Sequence, residues 1–232
     1  MTFSPSFGRI FSPSFKPNSL DGAVAIPWYL SGGIAAANCI AAYQPKGAAD
    51  YAASKVNLAN PGTKNAVDGA AYPTWDATNG WIFNGSTQYL SSGVVPVNNQ
   101  GWSMIVRFSE YTSGDDTVCG MYEDAGGVRT FNIGRNGGLT YFRNGGAVSY
   151  VLSLALGVLA IAGSKGYQNG SFATDIPSAT GTINQPVYIG ANAYNGGAVT
   201  NKFDGNIQAL AIYNTVLTAT QVGLLTTAMA AL

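Results

Sequence analysis

The sequence predicts an all-β sandwich, and three observations carry the prediction. Asn-Gly occurs six times, at Asn79, Asn84, Asn136, Asn144, Asn169 and Asn195. Type I′ hairpin turns need φ > 0 at both central residues, and this dipeptide supplies it at low cost. Between the turns run short segments whose residues alternate between two faces, the period-2 pattern of a strand. Helical periodicity is sparse and is clearest at the C-terminus.

The chain begins with an oddity. Phe-Ser-Pro-Ser-Phe is written twice, at residues 3–7 and 11–15. Each Pro removes a backbone donor and fixes φ, and each Ser before a Pro is pushed toward extended geometry, so the stretch suits neither a helix nor a central strand. What remains is an extended ribbon carrying Phe3, Phe7, Phe11 and Phe15. Burying one such ring is worth about 2 kcal/mol, so the ribbon is expected to dock either on the protein's own body or on a partner, and its duplicated form suits a repeated partner surface. Residues 1–20 are accordingly read as an anchoring arm and residues 21–232 as one domain.

Residues 34–80 are rich in Ala, Asn and Gly, with Pro45, Pro61 and Pro73, and read as irregular connection with one helical turn near 48–54. In the following segment Trp102, Met104, Val106 and Phe108 share one face and Ser103, Ile105 and Arg107 the other. Further strands are expected at Val128–Gly134, Leu139–Arg143, Val187–Ala191 and Ile207–Tyr213. No charge occurs between Arg143 and Lys165, a length that raises a membrane helix. Asn144-Gly145 opens that stretch and Ser149, Ser153 and Gly157 interrupt it, so it is read as two buried strands joined near residues 155–157. At the C-terminus Thr218 and Gln221 have the spacing of a capping box, and Val222, Leu225, Met229 and Leu232 follow helical spacing.

Composition narrows the function. Charged residues make up 9% of the chain, against about 25% in an average domain. Eleven acids balance eleven bases, and the basic residues form no stripe, which argues against nucleic-acid binding. Such a weakly charged surface suits an assembly or an extracellular setting better than a free cytosolic enzyme. The N-terminus lacks the basic and apolar regions of a secretory signal. Cys39 and Cys119 have no metal-ligand spacing and read as small buried hydrophobes, with a disulfide between them as the alternative.

The segments Phe83–Leu90, Tyr167–Phe172, Val187–Ala191 and Phe203–Val222 occur in the order seen in laminin-G-like domains. The chain resembles that family from about residue 80 to residue 225. The resemblance implies a concanavalin A-like jelly roll, the fold of many lectins and glucanases. The arm, together with residues 41–63, is similar to lectin-fold proteins of tailed bacteriophages and prophages.

Chemistry is scarce among these residues. His is absent, and Glu occurs only at Glu110 and Glu123, whereas catalysis near neutral pH relies on His or on a tuned carboxylate pair. Glucanases of the resembled fold carry a strand of alternating carboxylates, and none is present here. Gly114–Asp116 and Glu123-Asp124 place adjacent acids in expected loops, as solvated groups or, alternatively, as oxygens for Ca2+. No catalytic residue, resident cofactor or metal ligand is assigned.

Sugar binding asks for less: an aromatic platform and a few amide or carboxylate groups. The candidates are Trp75 with Asp76, Tyr122 with its acidic neighbours, and Tyr194 with Asn192 and Asn195. The sequence thus predicts a non-enzymatic virion protein, a decoration or appendage at the particle surface. Its arm would bind other virion proteins and its jelly roll a host-surface polysaccharide, without nucleic acid or membrane insertion. The alternatives are a free carbohydrate-binding module of a bacterial adhesin and a degenerate glucanase.

Overall fold

The computed structural model describes residues 25–112, 114–123, 129–146, 148–151, 156–177, 183–194 and 198–232. The arm with Phe3, Phe7, Phe11 and Phe15 lies outside them. The first part of the chain supplies β1 (Cys39–Tyr43), β2 (Val67–Asp68), β3 (Thr74–Asp76), β4 (Gly80–Asn84) and β5 (Leu90–Ser91). The middle supplies β6 (Ser103–Tyr111), β7 (Asp115–Glu123), β8 (Arg129–Asn136), β9 (Leu139–Asn144), β10 (Val148–Val151), β11 (Gly157–Ala162), β12 (Lys165–Gln168) and β13 (Ser171–Asp175). The last part holds β14 (Tyr188–Ile189), β15 (Asn192–Tyr194), β16 (Ala198–Thr200) and β17 (Asp204–Tyr213). Two helices complete it, the single turn α1 (Tyr51–Ser54) and α2 (Ala219–Ala230).

These strands form the sandwich that the sequence predicts. The first sheet runs β13-β12-β11-β6-β17-β4-β3, with β1 also paired to β17. The second runs β10-β9-β8-β7-β14-β5-β2, with β15 alongside β7 and β16 on β15. Nearly all pairs are antiparallel, the exception between named strands being the parallel contact of β15 with β7. Between the sheets lies a core built on Trp81, Phe83, Phe108, Phe131, Phe142 and Phe203.

A second apolar layer lies outside the first sheet. There α2 packs against β6, β11 and β13 and against the 3-10 turn Trp28–Leu30. Trp28, Tyr213, Val222, Leu225 and Met229 are buried in this layer. The helix starts with the predicted capping box, in which the Thr218 side chain accepts from Gln221 N–H and Gln221 Oε1 accepts from Thr218 N–H at 3.0 Å. Its C-terminal end is held by Arg107 of β6, whose guanidinium donates to the Met229 carbonyl. Because of this layer β6 is buried on both sides: Met104, Val106 and Phe108 face the core, and Ile105 faces the helix.

Several expectations shift in detail. Asn169 and Gly170 both have positive φ, 46° and 82°, and close the β12–β13 hairpin as expected. At Asn136 the turn moves by one residue, because Gly137 and Gly138 take the positive φ and Asn136 pairs with Leu139. The expected pair of buried strands after Arg143 proves to be one from each sheet, β10 and β11. Only β11 is buried, because β10 is the edge strand of the second sheet and leaves Tyr150 44% exposed. Within the Ala-rich connection α1 falls where a helical turn is expected, but β1, β2 and β3 are additional strands. The buried Asn57 satisfies that irregular stretch: its Oδ1 accepts from Ala42 N–H, and its Nδ2 donates to the carbonyls of Ile40 and Thr63. Among the described residues no helix is long and apolar enough to cross a membrane.

Candidate functional site

Strand alternation sorts the second sheet into a core face and an outer face. Met121, Phe131, Ile133, Phe142, Ile189 and Ala193 face the core, so the residues between them point outward. That places Tyr122, Asn132, Tyr141, Arg143, Tyr188, Asn192 and Tyr194 on the outer face.

Two of the predicted aromatics meet there. Tyr122 and Tyr194 are 72 residues apart in sequence, yet the parallel pairing of β15 with β7 puts them opposite each other. Their rings stack with centroids 5.1 Å apart and planes 7° from parallel, and Tyr194 is 40% exposed. One step down the strands the register is Arg143 opposite Asn132, Asn132 opposite Gly120, and Gly120 opposite Asn192. A Cβ at Gly120 would collide with that of Asn132, so the missing side chain makes room for the amide.

Asn132 is fully buried, and neither its Oδ1 nor its Nδ2 has a hydrogen-bond partner. Among the described residues it is the only side chain with both amide atoms in that state. Asn192, 7% exposed, likewise has an unpartnered Oδ1, and Arg143 an unpartnered Nε. Buried polar atoms are normally bonded, and each that is not costs about 1–3 kcal/mol. A row of such atoms, each buried, lies beside the partly exposed aromatic stack; single unpartnered atoms also occur elsewhere, as at Gln208 Oε1 and Thr226 Oγ1.

The other predicted residues are placed elsewhere. Trp75 is in β3, at the edge of the first sheet, half-buried against the core, and its indole N–H donates to the Pro45 carbonyl at 2.8 Å. Asp76 caps its own turn, accepting from the backbone N–H and side-chain Nδ2 of Asn79 and from Thr78 N–H, and these bonds hold its carboxyl below the usual range. Asn195 and Asp124 lie outside the described residues.

The acids expected in loops are strand residues instead. Asp115, Asp116 and Glu123 all belong to β7, whose pairing with β8 runs from end to end. Glu123 is buried and accepts from Asn184 N–H at 3.2 Å, while its neighbour Tyr122 faces the opposite way. Glu110 is in the first sheet, accepting from Asn206 Nδ2 at 2.9 Å. The two glutamates thus belong to different sheets. Burial, with Asp204 and Asp115 nearby, raises the Asp116 carboxyl to about 6. Among the described residues no three His, Cys, Asp or Glu side chains are grouped to hold a metal ion.

Both cysteines are buried and unpaired, one in each sheet. Burial pushes the Cys39 thiol up to about 12 and raises that of Cys119 as well. Two clefts of about 440 Å³ lie outside the polar row, one bordered by Tyr89 and Lys202, the other by Tyr167 and Val216 at the start of α2. Sequence reasoning found the tyrosines and Asn192 but missed Asn132 and Arg143. Their outward direction was legible from the alternation in β8 and β9, but their shared row was not.

No protein-family model matches the chain, and no curated protein does. Solved structures do. A sialidase of Trypanosoma rangeli in complex with sialic acid is similar over 82% of this chain, at 16% identity and a TM-score of 0.56. The chain spans only 33% of that sialidase. Domain 4 of AbnA, a GH43 extracellular arabinanase from Geobacillus stearothermophilus in complex with arabinotriose, is similar over 82% of this chain and 98% of that one. Its identity is 19% and its TM-score 0.50. At such identities what is shared is the fold, a two-sheet β-sandwich.

Proposed function

We propose that this sandwich is a non-catalytic glycan-binding module whose site is the outer face of the second sheet. The observation that carries the reading is the Tyr122–Tyr194 stack beside the unpartnered amides of Asn132 and Asn192. Sugars present an apolar ring face and a rim of hydroxyls, and an aromatic surface flanked by amide donors and acceptors matches both. The arabinotriose complex of the arabinanase domain is in keeping with this use of the fold. A non-catalytic role fits the absence of His from the sequence and the placement of Glu110 and Glu123 in different sheets.

The setting we propose is multivalent display on a larger particle, a phage virion in the terms of the sequence resemblance. Its support is the duplicated Phe-Ser-Pro-Ser-Phe arm, and the described chain enters beside α2, on the other sheet from the tyrosine pair. A site with one aromatic platform is expected to bind weakly, with Kd on the order of 0.1–1 mM, and to hold a surface through many copies.

The test is retention of host-surface polysaccharide by the protein, first as monomer and then clustered on beads. Clustered protein retains it, and Tyr194→Ala or Asn132→Ala abolishes retention. Clustered protein that retains no glycan, or retention untouched by both substitutions, overturns the assignment. Deleting residues 1–17 tests the arm: the melting temperature stays within about 3 °C while assembly into the particle fails. A large fall in melting temperature would show instead that the arm packs on the sandwich.

A further inference from the structure

We infer that the ligand of this face carries a carboxylate read by Arg143, making it an acidic glycan longer than one sugar. The inference rests on the glycan-binding reading above and adds the ligand's charge and extent.

Arg143 lies in β9 between the core-facing Phe142 and Asn144, so its side chain leaves on the outer face. Its guanidinium carbon sits 5.3 Å from the centroid of the Tyr141 ring, within cation–π range. The Nε is buried and has no hydrogen-bond partner. The ion pairs among the described residues are Lys55–Asp68 and Lys165–Asp175, and neither involves Arg143. The acids of the neighbouring strands do not compensate it: Glu123 turns to the core side, and Asp115 and Asp116 lie at the far end of β7.

A guanidinium with an unpartnered Nε–H is matched by a planar carboxylate, which can accept two parallel hydrogen bonds from the Nε and Nη edge. Asn132, directly opposite Arg143 across the β8–β9 pair, can serve a neighbouring hydroxyl. The tyrosine stack is further away. Arg143 and Tyr122 are separated by two strands and by two residues along β7, which puts their backbones about 12 Å apart. A single sugar ring does not reach from the guanidinium to the stack, so a ligand using both is an oligomer or polymer laid across the sheet.

The test uses the full chain clustered on beads, with polygalacturonate, alginate, hyaluronate and polysialate as probes, each beside its methyl-esterified form. Esterification keeps the sugars and removes the charge. At least one acidic probe is retained, and its ester is retained about tenfold less or weaker. Arg143→Gln produces the same loss, while Arg143→Lys recovers part of it, because it restores charge without the fork. Thermal melting of both variants controls for folding, and should Arg143→Gln fail to fold, the ester comparison and Arg143→Lys carry the result. Equal retention of acid and ester, or no effect of Arg143→Gln, overturns the inference. If neutral arabinan or dextran is retained through Tyr194 while every acidic probe fails, the charge assignment falls and glycan binding stands. If no probe of either kind is retained, both fall.

Discussion

The outer faces of the two sheets are made by the same strand alternation, yet they end in opposite states. On the first sheet the outward residues near α2 are small and apolar, Ala160, Ala162, Ala209 and Ala211, and the helix lies directly on them. Some polar groups there are used, since Ser103 Oγ donates to the Thr215 carbonyl and accepts from Leu217 N–H and Arg107 holds the helix end, while Trp28 Nε1 and Thr226 Oγ1 are buried without partners. On the second sheet the outward residues are polar or aromatic side chains, with Gly120 and Gly134 making room between them. No described helix lies on that face, and the amides of Asn132 and Asn192 are left without partners. One face is covered by a packed helix; the other has no described helix on it and carries Asn132, the one described side chain with both amide atoms unpartnered.

This difference can be broken from either side. The largest effect is expected on the sealed face, where Leu225→Ala removes a fully buried side chain and costs about 3 kcal/mol in urea denaturation. Glycan retention by the folded fraction stays unchanged. If retention falls in step with stability, the two faces are not independent.

Next comes Asn132→Val on the open face. Replacing a buried, unpartnered amide with an apolar group of similar shape removes a desolvation penalty, so stability rises by about 1–2 kcal/mol while glycan retention is lost. A destabilised Asn132→Val protein would mean that the amide has a structural role. Tyr194→Ala, at a 40% exposed ring, changes stability by less than about 1 kcal/mol but abolishes retention, which separates packing from binding at one residue.

The last effect concerns pH. Asp116 has a carboxyl raised from 3.8 to about 6, chiefly by burial. The folded state therefore binds the proton more tightly than the unfolded one, and stability falls as pH rises from about 4 to about 6. Asp116→Asn removes that loss, so its melting temperature exceeds the parent's above pH 6 and converges with it below pH 4, as read by calorimetry across the range. A pH-independent difference between the two proteins would rule out titration of Asp116 as the cause.

Much of the fold was readable along the chain. The positive-φ turn at Asn169-Gly170, the capping box of Thr218 and Gln221, and the alternation of β6 are each specified within a few residues. They depend on local sterics and on short hydrogen bonds. Where reading failed, a neighbour distant in sequence decided the outcome. The strand β1 exists because β17 offers it an edge, and Asp115 and Asp116 are extended because β8 pairs with them.

The sequence by itself determined that the chain is a weakly charged β-sandwich closed by a capped C-terminal helix, and that aromatics stand near amides somewhere on it. Only the tertiary structure decided which aromatics and which amides. Tyr122 meets Tyr194 because β15 runs parallel to β7, and Arg143, Asn132 and Asn192 share a row because of the register of β9, β8 and β7. A register is a sum over backbone hydrogen bonds and core contacts along whole strands, and slipping it by one residue would turn every one of these side chains to the other face. Whether a buried amide has a partner is settled at the same level, since its donors and acceptors come from strands that no local pattern brings together.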